Sequence, residues 1–393
     1  MSAPTAGLAF HSLTYVAEPD GIMVGRPDIE SYAVLPEDGA ALLRKLADGM
    51  PVDEAAAWYE RVYGESVDIA DFLDTMHELG FVVAAGEQPA LAAPVRLQWL
   101  GRAAFSPPAW IGYAALAAAC AVAMVRDEHL RPHVSNVFFT SSLILVQVLL
   151  AVVQMAGTLW HEAFHALAAR RRGLPSPLGV SRRLYFLVFE TRMNGLLSLP
   201  RRQRYLPFLA GILADVLLFS GLTLTAAGLG TASWGGRLAL AVAYITLPRI
   251  GWQCYLFLRT DLYYVAATAL GCTNLHDAAM SYLRRRFPRL PGVRSVVLGD
   301  EDEWSPLDRK YAPWYAALAV AGVALVLIVG AAIVIPVLYG FSDRLATGLA
   351  HGGLGTARFW DSAVALVLVL IQFVVLPLTA GRRRPAVARP TPA

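Results

Sequence analysis

Two imidazoles and a carboxylate occur together in the motif His161-Glu162-Ala163-Phe164-His165. If the segment is helical, His161 and His165 lie one turn apart on the same face, with Glu162 beside them. Two imidazoles at this spacing can bind a single Zn ion, and the glutamate can act as the general base that takes a proton from metal-bound water. The motif therefore predicts a zinc site in which His161 and His165 are ligands and Glu162 is the base.

The motif lies at the end of a long apolar stretch. Residues 134–160 carry no charged side chain, and Arg170, Arg171 and Arg172 follow the motif. A run of more than about 18 apolar residues can cross the roughly 30 Å hydrocarbon layer as a helix. The alternative places both histidines among the lipid head groups, with Glu162 as a snorkelling charge. Metal binding is the stronger interpretation, because ionisable groups at membrane depth are costly and usually functional.

The composition is that of a polytopic membrane protein with a modest soluble part. Of the 393 residues, 56% are hydrophobic and only 16% are charged. The net charge of +3 is too small to indicate binding to nucleic acid. The three cysteines form no CxxC pair, so neither a disulfide framework nor a Cys-based zinc site is expected. The first 30 residues lack the pattern of a signal peptide, so we expect the amino terminus to stay in the cytosol.

Six stretches are predicted to span the membrane. They cover residues 108–125, 134–169, 205–229, 238–258, 314–339 and 359–378. Arginine is concentrated after the second and fourth stretches and at the carboxyl end, so the positive-inside rule puts both termini and the motif toward the cytosol. Arg249 lies inside the fourth stretch, where a charge is costly. It is therefore expected to face the bundle interior or a carboxylate.

A catalytic zinc site keeps three protein ligands, so one further His, Asp or Glu must reach the two histidines. Asp261 follows the fourth stretch at its cytosolic end, the depth expected for the motif, and is the preferred third ligand. Asp215, inside the third stretch, is a competitor, although a helix-packing hydrogen bond or a pairing with Arg249 accounts for it equally well. The other candidates are Glu190, at a distance from the motif that suits gluzincin-type ligands, and, ranked lower, His276 and Asp277.

The residues before the first apolar stretch are predicted to form a small α+β domain over 1–95. Three short β-rich runs occupy 13–35, three helical patterns follow, and 81–83 returns as a strand. This order resembles the winged-helix, PqqD-like domain that recognises leader peptides in peptide natural-product pathways. The resemblance implies that an extended peptide binds as an added strand at a sheet edge. The alternative is a regulatory or packing domain without a peptide ligand.

Three segments of the remaining chain carry a second resemblance. HEAFH in the second stretch, the run 210–215 (AGILAD) in the third, and Asp261-Leu262-Tyr263-Tyr264 after the fourth together resemble the site-2 protease family of membrane zinc metalloproteases. The similarity is greatest to its branch of peptide zinc metalloproteases. Membership implies that His161, His165 and Asp261 bind Zn and that Glu162 is the base. Leu262 stands where the family usually has glycine, which affects substrate positioning more than metal binding, because the carboxylate is retained.

A short apolar run at 184–189, between Arg183 and Glu190, is β-rich and too short to span the membrane. Strand-like backbone at membrane depth is tolerated where it is buried in protein or lines a cavity, so we expect a re-entrant hairpin beside the metal. Its edge can hold a substrate extended. Asn194 is a candidate to bind a substrate carbonyl or the oxyanion, although a surface turn explains it equally well.

The predicted fold class is thus a mainly α membrane protein. A bundle of about six transmembrane helices with a re-entrant β-hairpin fills residues 96–380, follows the α+β domain and ends in a disordered tail at 381–393. The predicted function is that of an intramembrane zinc metalloprotease acting on a peptide or leader peptide, multi-pass in the cell membrane. One alternative is a non-catalytic peptide-binding or export partner; the other is a site-2 protease that cuts a membrane-bound regulator. The sequence leaves the oligomeric state open.

Overall fold

Helices make up most of the chain in the computed structural model, which describes residues 8–84, 87, 95–176, 178–183, 186–191, 195–289, 304–351 and 353–381. Asn194, most of the predicted linker at 86–94 and the tail after Gly381 lie outside the described residues. Two parts are described separately below. The N-terminal unit is residues 8–84, and the helical part begins at residue 95.

The N-terminal unit has the predicted order of strands and helices. Its elements are β1 (Thr14–Glu18), β2 (Gly21–Arg26), β3 (Ser31–Leu35), α1 (Glu37–Ala47), α2 (Val52–Tyr63) and α3 (Ile69–Glu78). The sheet is antiparallel in the order β1-β2-β3, with Met23 paired to Val16 on one side and to Val34 on the other. The predicted return strand is reduced to an isolated bridge between Val82 and Phe10.

Local sequence signals set the ends of these helices. Pro36 and Pro51 precede α1 and α2, and the Asp68 carboxylate caps α3 by accepting the backbone N–H groups of Ala70 and Asp71. Gly64 ends α2 in the left-handed conformation that glycine adopts without strain. The helices then bury one apolar face against β2, in a cluster of Val24, Ala40, Leu43, Met76, Phe81 and Val82.

The helical part contains nine helices and one hairpin among its described residues. They are α4 (Gln98–Ala104), α5 (Pro107–Arg126), α6 (Leu143–Arg171), β4 (Leu178–Arg183), β5 (Phe186–Thr191), α7 (Arg201–Leu229), α8 (Trp234–Trp252), α9 (Asp261–Leu270), α10 (Leu275–Arg286), α11 (Pro306–His351) and α12 (Ala357–Gly381). The strands β4 and β5 pair antiparallel. The hairpin lies where the re-entrant segment is predicted, but its position in a membrane stays a prediction.

Four of these helices, α5, α6, α7 and α11, are long and apolar enough to cross a membrane. Association with a membrane therefore follows from the fold, whereas the count of six spans stays a prediction. The predicted second stretch starts too early, since α6 begins at Leu143, where the Ser142 hydroxyl accepts the N–H of Leu145. The predicted fourth stretch ends too late, since α8 stops at Trp252 and the backbone reaches a left-handed residue at Arg259 (φ 56°).

Small residues bring α6 and α7 close together around the motif. Ala168 on α6 and Ala210 and Ala214 on α7 are fully buried in one cluster with Phe164 and Leu217. Small side chains allow helix backbones to approach within a membrane bundle. As a result, the face of α6 that carries the motif histidines lies directly against α7.

Candidate metal centre

Three potential ligand atoms converge where α6 meets the start of α9. Nε2 of His161 lies 3.1 Å from Nε2 of His165, and Oδ2 of Asp261 lies 3.2 Å from each of these nitrogens. Both imidazoles are buried, and the Asp261 side chain is 21% exposed. Among the described residues, these three side chains form a group that could hold a metal ion.

The other ring nitrogens of both histidines face groups that only accept hydrogen bonds. Nδ1 of His161 lies 2.9 Å from Oδ2 of Asp215, and Nδ1 of His165 lies 2.7 Å from the carbonyl oxygen of Pro207. Each Nδ1 must therefore carry the proton, which leaves a lone pair on each Nε2 of the neutral rings. Two nitrogen lone pairs and a carboxylate oxygen this close repel one another unless a cation, either a proton or a metal ion, lies between them.

The spacing of the three atoms fits a tetrahedral metal site. Bonds of about 2.0–2.1 Å in a tetrahedral site separate the ligand atoms by roughly 3.3 Å, close to the observed 3.1–3.2 Å. Space beside the nitrogens exists because α7 presents Gly211 there. A Cβ at Gly211 would overlap Nε2 of both His161 and His165. The residues present thus fit a metal ion, and two imidazoles with one carboxylate suit zinc and several other transition metals.

A buried charge pair holds the His161 ring. Asp215 on α7 is fully buried, and its second oxygen, Oδ1, accepts a hydrogen bond from Nε of Arg249 at 2.9 Å and lies 2.6 Å from Nη2 in the same ion pair. The expected pairing of Asp215 with Arg249 is therefore present, and Arg249 does face a carboxylate. Gly157 on α6 leaves the space that the guanidinium occupies, because a Cβ at Gly157 would overlap it. Asp215 contacts His161 at Nδ1 and stays on the far side of the ring from Asp261.

The non-helical segment between α8 and α9 positions Asp261 beside the two histidines. The Gln253 side-chain oxygen accepts the backbone N–H of Asp261 at 3.0 Å, and the Gln253 carbonyl accepts the Thr260 hydroxyl at 2.7 Å. Asp261 is the first residue of α9, where a carboxylate interacts favourably with the helix dipole. Burial alone would raise the pKa of Asp261, but without a metal ion a proton on the facing imidazoles of His165 and His161 outweighs burial and holds that pKa below its usual value. The carboxyl group is therefore ionised, as a metal ligand must be.

A cavity of about 460 Å³ opens beside this cluster. Glu162, His165 and Asp261 line one end of it, and much of the remaining wall is apolar, including Phe208 and Tyr264. Glu162 therefore shares a solvent-accessible space with two of the three clustered side chains. This arrangement allows a carboxylate to exchange protons with a molecule that sits beside the cluster.

The remaining sequence candidates lie elsewhere. Asp277 pairs with Arg259 at 2.6 Å, and Nδ1 of His276 lies 3.1 Å from the Tyr315 hydroxyl. Burial, and after it the Arg259 guanidinium, lower the pKa of His276. Glu190 belongs to β5, but its side chain, like the whole of Asn194, lies outside what the structure describes. Neither His276 nor Asp277 belongs to the group around His161.

Gly211, Gln253 and Pro207 contribute to the site without having been identified from the sequence. Gly211 lies inside the AGILAD run, where a residue without a side chain in a tightly packed helix signals a close approach. Gln253 and Pro207 act through hydrogen bonds to distant residues, for which no sequence signal exists.

Comparisons of the chain with protein-family models, with curated proteins and with solved structures found no match. The function proposed below therefore rests on the geometry of the cluster and of the cavity beside it.

Proposed function

We propose that the protein is an intramembrane zinc metalloprotease that hydrolyses a peptide bond in a peptide or leader-peptide substrate. One observation carries the proposal. Nε2 of His161, Nε2 of His165 and Oδ2 of Asp261 converge within 3.2 Å, and His165 and Asp261 line a cavity that Glu162 also lines. Three ligands with an adjacent carboxylate are the protein groups that metal-assisted hydrolysis requires.

Zinc is the metal that we propose for the cluster, held by His161, His165 and Asp261. When bound, it supplies Lewis acidity toward the scissile carbonyl and toward the attacking water. Glu162 accepts the proton of that water and passes it to the leaving amine. Asp215 and the Pro207 carbonyl keep the two rings in the tautomer that offers Nε2 to the metal.

The apolar wall of the cavity supports a polypeptide substrate. Phe208, Tyr264 and Leu196 offer apolar surface to substrate side chains in the same cavity that Glu162, His165 and Asp261 line. In this proposal, the N-terminal unit binds the leader segment at a sheet edge and raises its effective concentration, to about the millimolar range for a short linker. Asn194 is proposed to bind a substrate carbonyl, and the hairpin β4–β5 to enter the membrane beside the metal.

The proposed placement is multi-pass in the cell membrane, with six spans and both termini in the cytosol. The four long apolar helices and the arginine-rich segments after α6 and α8 support it. The catalytic cavity then lies toward the cytosolic face, where it meets the N-terminal unit.

The proposal is tested with purified protein and a synthetic library of unstructured peptides, with products identified by mass spectrometry. We expect the wild type to produce a set of cleaved peptides. Glu162→Gln should lose this cleavage by at least about 10²-fold, because the general base is gone, while its zinc content stays unchanged. Binding of peptides without any cleavage by the wild type would contradict the protease and favour a non-catalytic peptide binder.

A further inference from the structure

Two cavities lie side by side where the N-terminal unit meets the helical part. The inner cavity, described above, has a volume of about 460 Å³ and ends at Glu162, His165 and Asp261. The outer cavity has a volume of about 540 Å³. Both are lined by Glu18 and Met23, from the N-terminal unit. The two cavities therefore adjoin, and the N-terminal unit forms part of the wall of each.

A buried ion pair fixes this junction. Glu18, the last residue of β1, lies 2.5 Å from Nη2 of Arg204 on α7, and both side chains are only 5% exposed. Arg204 also donates to the carbonyl oxygens of Leu197 and Leu199, at 2.8 and 2.7 Å. A second cation, Arg201, has its Nε 3.7 Å from the other Glu18 oxygen. Because breaking a buried ion pair by removing one partner is costly, this contact helps to hold the N-terminal unit over the inner cavity.

Two glycines allow the backbones of the two parts to approach each other. Gly195 and Gly271 have positive φ angles of 85° and 79°. A Cβ at Gly195 would lie 3.0 Å from Cβ of Pro27, and a Cβ at Gly271 would lie 3.2 Å from Cγ of Pro19. Both prolines belong to turns of the N-terminal sheet. The seam between the two parts is therefore closely fitted at several points, unlike a loosely tethered domain.

The outer cavity touches all three strands of the sheet and reaches its edge strand. It is lined by Glu18 at the end of β1, by Met23 of β2, and by the consecutive residues Tyr32, Ala33 and Val34 of β3. β3 is the last strand of the sheet, and within the described residues no backbone hydrogen bond joins its outer edge to another segment. Such an edge can bind an extended chain through its main-chain groups.

We propose that the seam is the path by which an extended polypeptide reaches the metal cluster. The chain lies along β3 in the outer cavity, passes Met23 beside the Glu18–Arg204 pair, and enters the inner cavity, where its scissile bond meets Glu162. This inference rests on the proposed function and adds to it the route that the substrate follows. Recognition and cleavage then take place in one continuous groove, and Glu18 is a positioning residue that keeps the two cavities aligned.

Photo-crosslinking in the Glu162→Gln background tests the route without requiring cleavage. A photo-reactive phenylalanine analogue replaces Val34 in the outer cavity, Tyr264 in the inner cavity, or Val62, an exposed valine on α2 that lines neither cavity. The probes are the library peptides that the wild type cleaves or, if it cleaves none, the whole library. We expect the same peptides to be captured at Val34 and Tyr264 and not at Val62.

The outcomes separate the route from the protease. Capture at Tyr264 without capture at Val34 overturns the route, because the peptide then enters from another side, while the protease stands. No capture at Val34 overturns the route whether or not the wild type cleaves. Capture at both positions with no cleavage by the wild type supports the route and contradicts the proposed protease activity.

A matched pair of glutamates tests the positioning role of Glu18. Glu18→Gln should lower kcat/KM for a cleaved library peptide by roughly tenfold, mainly through KM, since it removes one partner of a buried charge pair. Zinc content and the circular dichroism spectrum should not change. Glu54→Gln, the same substitution at an exposed site on α2, should leave kcat/KM unchanged. Equal values of kcat/KM for the two variants would overturn the role of Glu18.

Discussion

The carboxylate of Asp215 lies 2.9 Å from Nδ1 of His161, and it is fully buried. It accepts a hydrogen bond from the Nδ1–H group, which leaves the lone pair on Nε2, the nitrogen that faces His165 and Asp261. Arg249 neutralises the same carboxylate from the other side. The charge of Asp215 therefore acts on the cluster of His161, His165 and Asp261 through the ring of His161.

Replacing this carboxylate should lower the affinity of the cluster for zinc. Asp215→Asn removes the negative charge and presents an amide that can donate as well as accept, so the His161 tautomer is no longer fixed. Loss of such a partner typically lowers metal affinity by about 10–100-fold. Competition with a chromogenic zinc chelator measures the change. Asp343→Asn, at an exposed position on α11, is the matched control and should keep wild-type affinity. Equal zinc affinities of the two variants would show that Asp215 stabilises the fold without affecting metal binding.

A substitution at Gly211 tests whether the space beside Nε2 of His161 and His165 holds the metal. In Gly211→Ala, the added methyl group would overlap both Nε2 atoms and compete with a bound metal. We predict that the purified variant contains little zinc while its helix content is unchanged, since alanine favours helices by about 1 kcal/mol over glycine. Gly221→Ala, on the same helix with no atom within 4 Å, should retain the metal. Full zinc occupancy in Gly211→Ala would refute the placement of the site.

The Arg249 guanidinium depends on Gly157 in the same way. Gly157→Ala places a methyl group where the guanidinium lies and should destabilise the packing of α6 against α8 by about 1–3 kcal/mol. Thermal unfolding in detergent should show a lower midpoint for this variant. Gly112→Ala on α5, where the added methyl group meets open space, should not lower it. A midpoint equal to that of the wild type would mean that Arg249 has another position available.

The chemistry of the cluster was accessible from the sequence, because it depends on residue types at fixed helical spacing. HExxH predicts the approach of His161 and His165, and the position of Asp261 after an apolar stretch made it the preferred third residue. The structure brings the three side chains together, while their role as metal ligands stays a prediction. The pairing of Asp215 with Arg249 was predictable as one of three alternatives, beside a metal ligand and a helix-packing hydrogen bond, since a buried charge needs a partner.

Other features required three-dimensional contacts. α8 ends at Trp252, and the segment after it is held by Gln253, whose side-chain oxygen accepts the N–H of Asp261 eight positions away. An apolar sequence continues through Leu258, so hydropathy alone extends the helix too far. The pairing of Glu18 with Arg204 joins residues far apart in the chain, and neither has a local sequence pattern that distinguishes it from the other charged residues.

Labelling of single cysteines tests the proposed orientation. In a variant without the native cysteines, Ser66→Cys lies on the exposed surface of the N-terminal unit, and Ala232→Cys lies between α7 and α8. A membrane-impermeant maleimide should label Ala232→Cys in intact cells and Ser66→Cys only after the membrane is opened, because the positive-inside rule puts the N-terminal unit in the cytosol. The reverse pattern would contradict this orientation.

The measurement that tests the central claim most directly is the zinc content of the purified wild type, His161→Ala, Asp261→Asn and Asp277→Asn. Asp277 is the matched control, because its side chain is 53% exposed and pairs with Arg259. We predict about one zinc per chain in the wild type and in Asp277→Asn, the stoichiometry of a single catalytic site, with loss of zinc in the other two variants. A folded wild type without zinc, or zinc that persists in Asp261→Asn and His161→Ala, would contradict the proposed metalloprotease.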